Sequence, residues 1–396
     1  MTAPFKSPLA DYLKLVIPYA SADIISPETW LHISTLAEVF PSAITSFFGF
    51  ECRLGIEEAH ADFLICADAL DAGRKILAGD NYPIKLPSFL MENPIWINLC
   101  NFSNSWATPT SPLYENVRNV WLEFDIDGPP TVIPIPSCFF GPEPIYSATS
   151  TSNRSSYEWV TQTALKLLLN KDLPSQVEQN LFNCFDRLPN EAYVFQIGVM
   201  LARSSDLVRI CIRDISPDQL LEYLTQINWM GSTSELKVYL TQLSRLTDRI
   251  DLDIDVGEVI RPKIGLECYF NKQPKFEPRW QSFLDYLVAM DLCLPKKREA
   301  LLAYPGYTRE RSKKEADLWP DHLLKLSRFL GSKYERIFFR RVHHVKVVYQ
   351  LDKLLEAKAY LSGSHALIHP ELLSQLKDFN ENQLKEFSQK VQDASV

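Results

Sequence analysis

The sequence predicts an α+β fold: a ten-stranded antiparallel β-barrel built from repeated α-β-β-α units, with its helices outside. Three observations lead there. Five hairpin-like segments recur along the 396 residues. Each of them alternates apolar with charged or polar side chains, so one face wants burial and the other does not. Amphipathic helical patterns lie between them and can cover the apolar faces. An antiparallel sheet can show its polar face to water. A sheet of about ten strands tends to curl or close, because closure removes its edges. With helices outside, closure turns the polar face into a lining.

The hairpins run in order. The first is Cys52–Asp68 and the second Val120–Phe140, with Asp127-Gly128-Pro129-Pro130 as its turn. The third is Tyr193–Ile215, turning at Ser204-Ser205-Asp206. The fourth is Arg249–Phe270 and the fifth His343–Leu361. Helical patterns cover Pro27–Phe40, Tyr157–Leu169, Glu235–Leu246 and Asp321–Leu330. Ser26 suits the cap of the first of these, and Pro27 its first position. Ser216-Pro217-Asp218 opens another helix, with Leu220, Leu221, Leu224 and Ile227 on one face. Pro278 opens a further one, its face carrying Trp280, Phe283, Leu284, Leu287 and Val288. Ser147–Ser156 and Pro305–Lys314 read as polar loops. The expected organisation is one domain over 1–396, with the repeated barrel over 27–365 and a helical tail over 366–396.

The alternation sorts residues by face. Leu252, Ile254 and Val256 oppose Asp251, Asp253 and Asp255. Ile264, Leu266, Cys268 and Phe270 oppose Lys263, Gly265, Glu267 and Tyr269. Val208, Ile210 and Ile212 oppose Arg209, Cys211 and Arg213, and Leu122, Phe124 and Ile126 oppose Glu123, Asp125 and Asp127. Ala357, Ala359 and Leu361 oppose Glu356, Lys358 and Tyr360, while His344 shares a face with Lys346. His343 then falls on the opposite side from His344, which argues against a metal-binding pair. Trp121, Trp229 and Trp280 read as core residues. Glu57, Glu58 and His60 sit where the alternation breaks and carry little promise as a site.

Composition narrows the function classes. A net charge of −8 and a pI near 5.5 argue against general nucleic-acid binding. No stretch has the roughly 20 apolar residues of a membrane span, and the start lacks a signal-peptide layout, so a cytoplasmic protein is expected. Eight scattered cysteines with no C-x-x-C pair read as buried thiols rather than a zinc site. The sequence holds no dinucleotide fingerprint, P-loop, nucleophile elbow or zincin motif. The aspartate-rich signatures of helical prenyl-chain enzymes are also missing.

Five successive α-β-β-α units with a polar inner face resemble the ABBA, or PT-barrel, aromatic prenyltransferases, over about 27–365. In that family Lys, Arg and Tyr on inward strand faces hold the prenyl diphosphate, often as K-x-Y or R-x-K. Lys358-Ala359-Tyr360 stands as K-x-Y here, and Arg261-Pro262-Lys263 as R-x-K. The resemblance implies that Arg209, Arg213, Arg261, Lys263, Lys346 and Lys358 stabilise the departing diphosphate. Tyr269 and Tyr360 would donate to phosphate and shield the allylic cation. Glu123, in Trp121-Leu122-Glu123-Phe124-Asp125, would orient or deprotonate the acceptor, with Glu267 as the other candidate carboxylate. Pro262 marks Arg261 and Lys263 as lying at a strand edge or start.

The run Asp251, Asp253, Asp255 is more acidic than that family's usual lumen. It could hold Mg²⁺ against the diphosphate, receive a cationic acceptor, or face solvent. The implied activity is transfer of a prenyl group from an allylic diphosphate to an aromatic or cationic, indole-, tyrosine- or peptide-like acceptor, as in secondary metabolism. It needs no cofactor, or Mg²⁺, and a monomer is expected. The alternatives are a noncatalytic peptide-binding module or another peptide-tailoring enzyme on the same barrel.

Overall fold

Twelve strands join in one sheet, and ten of them close into a ring. The fold comes from a computed structural model describing residues 7–79, 82–129, 131–147, 156–203, 207–312, 315–330, 334–350 and 353–368. The strands are β1 (Phe47–Arg53), β2 (Ala61–Asp68), β3 (Val117–Phe124), β4 (Ser137–Pro142), β5 (Ile145–Tyr146) and β6 (Tyr193–Val199). They continue with β7 (Val208–Arg213), β8 (Arg249–Val256), β9 (Ile260–Tyr269), β10 (Gly306–Arg309), β11 (Glu335–Gln350) and β12 (Lys353–Ile368).

The ring runs β1-β2-β3-β4-β6-β7-β8-β9-β11-β12 and returns to β1, antiparallel throughout. Two pairings between hairpins complete it. β9 meets β11 from Cys268↔Val345 to Ile264↔Tyr349, and β12 meets β1 from Ser364↔Phe47 to Lys358↔Arg53. The predicted closed α+β barrel is therefore present. β5 continues the line of β4 along β6, and β10 adds to the protruding part of β11.

The core lies between the outer face of this ring and the helices. Leu252, Ile254, Ile210 and Ile212 are fully or almost fully buried there, as are Leu224, Leu240, Phe283 and Trp280 from the helices. Trp280 stacks on Phe270 with ring centres 4.0 Å apart. Burial of each such side chain contributes about 1.5–3 kcal/mol relative to exposure. None of the eight cysteines forms a disulfide. No helix among the described residues is long and apolar enough to cross a membrane.

Local chemistry sets the helix starts. The Ser26 hydroxyl accepts from the Thr29 amide at 3.1 Å, and Ser216 forms a capping box with Gln219. Pro94–Ala107, Ser175–Asp186 and Pro295–Ala303 are further helices that periodicity did not mark. Asn93 before Pro94 was the readable signal for the first of these, since its side chain accepts from the Ile95 amide at 2.8 Å.

Three boundaries differ from the sequence reading. The first hairpin begins at Phe47, because Phe47-Phe48-Gly49-Phe50 shows no polar alternation when both sheet faces bury aromatic rings. The fifth has strands of 16 residues each, which run on past the ring. Gly306–Arg309, read as loop, pairs with that extension as β10. The turn at 204–206, most of the 147–156 loop and the tail from 369 lie outside the described residues.

Candidate active site in the barrel lumen

Cavities of about 340 and 80 Å³ lie against the inward faces of the ring among the described residues. Glu123, Arg209, Lys346 and Tyr360 line both and form the partition between them. The smaller lies toward the hairpin turns, beside Met200, Asp255 and Lys263. The larger lies where strands meet the connecting helices, beside Arg213, Arg249 and Phe270.

Strand alternation and cross-strand register build a chain of ion pairs along β7, β8, β9, β11 and β12. Arg209 grips Asp255 with two nitrogens, at 2.8 and 3.0 Å. Arg213 and Arg249 share Asp251, at 3.0 and 2.8 Å. Lys346 Nζ lies 2.6 Å from Asp253 and 3.4 Å from Glu267. To reach Asp253 the lysine stem crosses β9 at Gly265, where a Cβ would sit 3.2 Å from Lys346 Cδ. Tyr269 donates to Glu267 at 2.7 Å. Lys358 donates to Glu51 at 2.7 Å, and Tyr360 donates to the other oxygen of the same carboxylate.

The larger cavity also has an aromatic wall. Phe47, Trp121, Phe139, Tyr193 and Phe195 line it. The Arg213 guanidinium lies 4.0 Å from the centre of the Phe195 ring, and that of Arg249 lies 4.2 Å from Tyr269. Each of these arginines uses Nε for Asp251. A planar guanidinium has five donors, so the pair can engage an anion while still bound to that carboxylate.

The carboxyls divide sharply by environment. Burial works to raise Glu51, but Lys358 and Lys346 outweigh it and bring the group down to about 2. Burial also opposes charge on Glu267, yet His344, Lys346 and the Tyr269 hydroxyl hold it well below the usual range. Burial pushes Asp253 up to about 7, helped by the neighbouring Glu267. Asp62, beside Glu51, is likewise pushed up to about 7 by burial and by that neighbour. Glu123 is pushed up to about 8 by burial and by Glu51, so it keeps its proton at neutral pH. No hydrogen bond or ion pair among the described residues reaches the Glu123 carboxyl.

The lumen gathers Glu123, Glu267, Arg209, Arg213, Tyr269, Lys346, Lys358 and Tyr360 around the two cavities. Arg261 does not join them. It is exposed and lines neither cavity, because the β8–β9 register shifts at Val256 and Pro262 offers the ladder no N–H. Lys263 is exposed at the small cavity and lies 3.4 Å from Glu356. Asp251, Asp253 and Asp255 do not converge. Each is drawn to its own cation, and among the described residues no group of three or more His, Cys, Asp or Glu is placed to hold a metal ion.

Sequence reasoning missed several lumen residues. Glu51 lay just outside the first hairpin as read. Arg249 and Tyr193 stood at strand starts. Trp121, read as core, lines the larger cavity, and the alternation that turns Glu123 inward turns Trp121 inward as well. His343 and His344 both line that cavity, although neighbours on a regular strand point apart. A bulge between Val342 and His344 in the β11–β12 pairing brings both rings to one side, with their Nδ1 atoms 2.7 Å apart.

Neither a family model nor a curated protein matches the chain. Among solved structures, AnaPT from Neosartorya fischeri is similar in fold, at 12% identity and a TM-score of 0.45, over 91% of this chain and 94% of that one. The closure of the barrel here rests on its own strand pairings.

Proposed function

We propose that the lumen is the active site of a transferase that moves a prenyl group from an allylic diphosphate to an aromatic or cationic acceptor. The observation that carries this reading is the larger cavity, of about 340 Å³, where Arg213 and Arg249 lie over aromatic rings with donors to spare. Ionising an allylic diphosphate needs donors for the departing phosphate charge and a water-poor surface for the carbocation. The arginine pair serves the first need. Phe47, Trp121 and Phe139 serve the second. Glu123, carrying its proton at neutral pH, orients the acceptor by donating a hydrogen bond. The reaction runs without a metal in this reading, since Asp251, Asp253 and Asp255 are already neutralised by basic side chains.

Thermal-shift measurements with dimethylallyl and geranyl thiodiphosphates, with and without Mg²⁺, test the reading. A rise of several degrees is expected with at least one of them, and without Mg²⁺. The paired change Arg213→Gln with Asp251→Asn keeps the local charge balanced and should abolish the rise. Arg261→Ala should leave it intact. A wild-type protein that responds to neither analogue sinks the transferase reading.

A further inference from the structure

The bulge in β11 delivers a pair of imidazoles that the transferase reading leaves without a role. We propose that His343 is the base that takes the acceptor's proton, and that Glu267 and His344 fix the tautomer that lets it do so. The proposal rests on the transferase reading and deepens it.

The geometry sets the direction of each proton. His344 is 5% exposed, stacked on Tyr360 with ring centres 4.1 Å apart and packed against Tyr269 at 4.9 Å. Its Nε2 faces Glu267 Oε1 at 3.5 Å. A carboxylate only accepts, so the proton of a neutral His344 belongs on Nε2 and its Nδ1 is bare. The 2.7 Å contact between the two Nδ1 atoms needs one proton between them. That proton therefore belongs to His343, and the basic lone pair of His343 lies on Nε2. Its ring lines the larger cavity, against Phe47 and Tyr269.

The surrounding groups fit the assignment. Glu267 and Lys346 are the charged groups that bear on His344, Arg341 lines the same cavity beside His343, and the Tyr269 and Tyr360 phenols are held well above their ordinary range by burial. Burial lowers His344 to about 4, so it stays neutral and able to accept at Nδ1. Glu123 holds its proton at neutral pH and is the weaker candidate for removing another.

The balance of the step is simple. The allylic C–O bond breaks and its electron pair leaves with diphosphate. The acceptor atom bonds to the prenyl carbon and gives its proton to His343 Nε2. The resulting imidazolium is stabilised through His344 by Glu267, and it returns the proton to solvent on product release.

Nitrogen-15 NMR of histidine-labelled protein at pH 7 reads the tautomers without any ligand. His343 protonated at Nδ1 and neutral His344 protonated at Nε2 are expected, with Glu267→Gln mixing the two forms of His343. His343 protonated at Nε2 in the wild type, or a charged His344, overturns the proposal. With dimethylallyl diphosphate and tryptophan as probe acceptor, His343→Gln should cut product formation about 100-fold or more while keeping the thiodiphosphate thermal shift. Undiminished turnover in that variant overturns it as well. A wild type with no thiodiphosphate shift is a separate result: it defeats the transferase reading, whatever the tautomers.

Discussion

The two sides of the lumen answer the same problem differently. Along β7, β8, β9, β11 and β12 the inward charges are matched, carboxylate to cation, over Arg209–Asp255, Arg213–Asp251–Arg249 and Lys346–Asp253. Along β1 to β4 the wall of the larger cavity is mostly apolar, with Phe47, Leu64, Trp121 and Phe139, Glu123 the carboxyl among them, and Arg118 and Asn119 of β3 beside them. The matched side brings Glu51, at its border, down to about 2; the apolar side pushes Glu123 up to about 8. One residue type is made a fixed charge in one place and a neutral acid in the other. A matched network gains little stability over apolar packing, because desolvation offsets its attraction. Its use is to hold donors in place, while the apolar wall leaves room for a ligand.

The strongest way to break this contrast is to unmatch the charged side. Lys346→Met removes the one ammonium that serves both Asp253 and Glu267. Asp253 then loses its ion pair, and Glu267 keeps only the Tyr269 hydroxyl and His344 beside it. The expected loss is about 3–5 kcal/mol in urea denaturation at pH 7. A loss below about 1 kcal/mol would show that water, not Lys346, screens that pair.

The apolar side fails through shape instead. Gly198 on β6 faces Phe139 on β4, and a Cβ there would meet the Phe139 ring at 2.0 Å. Gly198→Ala should cost about 1–3 kcal/mol, because the ring must swing into the cavity. Combining it with Phe139→Leu should recover part of that loss. An additive penalty from the two changes would mean that the ring and the new methyl do not compete.

The contrast also marks how much of the site was legible in the sequence. Regular alternation was readable wherever one face was apolar and the other charged, and it turned Arg209, Arg213, Asp251, Asp253, Glu267, Lys358 and Tyr360 toward one side. It failed where both faces were aromatic, which hid Phe47 and Glu51 at the start of β1. It failed again where backbone hydrogen bonding, rather than side-chain pattern, sets direction. The β11 bulge turns His343 inward, and the shifted register at Pro262 leaves Arg261 outside. Matching of each cation by an acid was not readable, since it depends on register between strands far apart in the chain. Lys358 and Glu51 are 307 positions apart.

The smallest expected effect tests the neutral acid itself. Glu123 holds its proton in the folded barrel up to about pH 8, whereas in the unfolded chain it releases it near its ordinary value of about 4.3. Between those limits the folded state binds more protons than the unfolded one. The Glu123 contribution to stability is therefore full below about pH 4 and drains away as pH rises toward 8, after which it is flat. Glu123→Gln cannot lose that contribution. Its stability relative to wild type should climb from pH 5 to pH 9 by about 1–3 kcal/mol, measured by urea denaturation across that range. Asp62, at about 7, drains over an overlapping window in both proteins and largely cancels in the difference. A difference that stays level with pH would mean that Glu123 is ionised throughout. It would then be a fixed charge like Glu51, and the two sides of the lumen would no longer differ in kind.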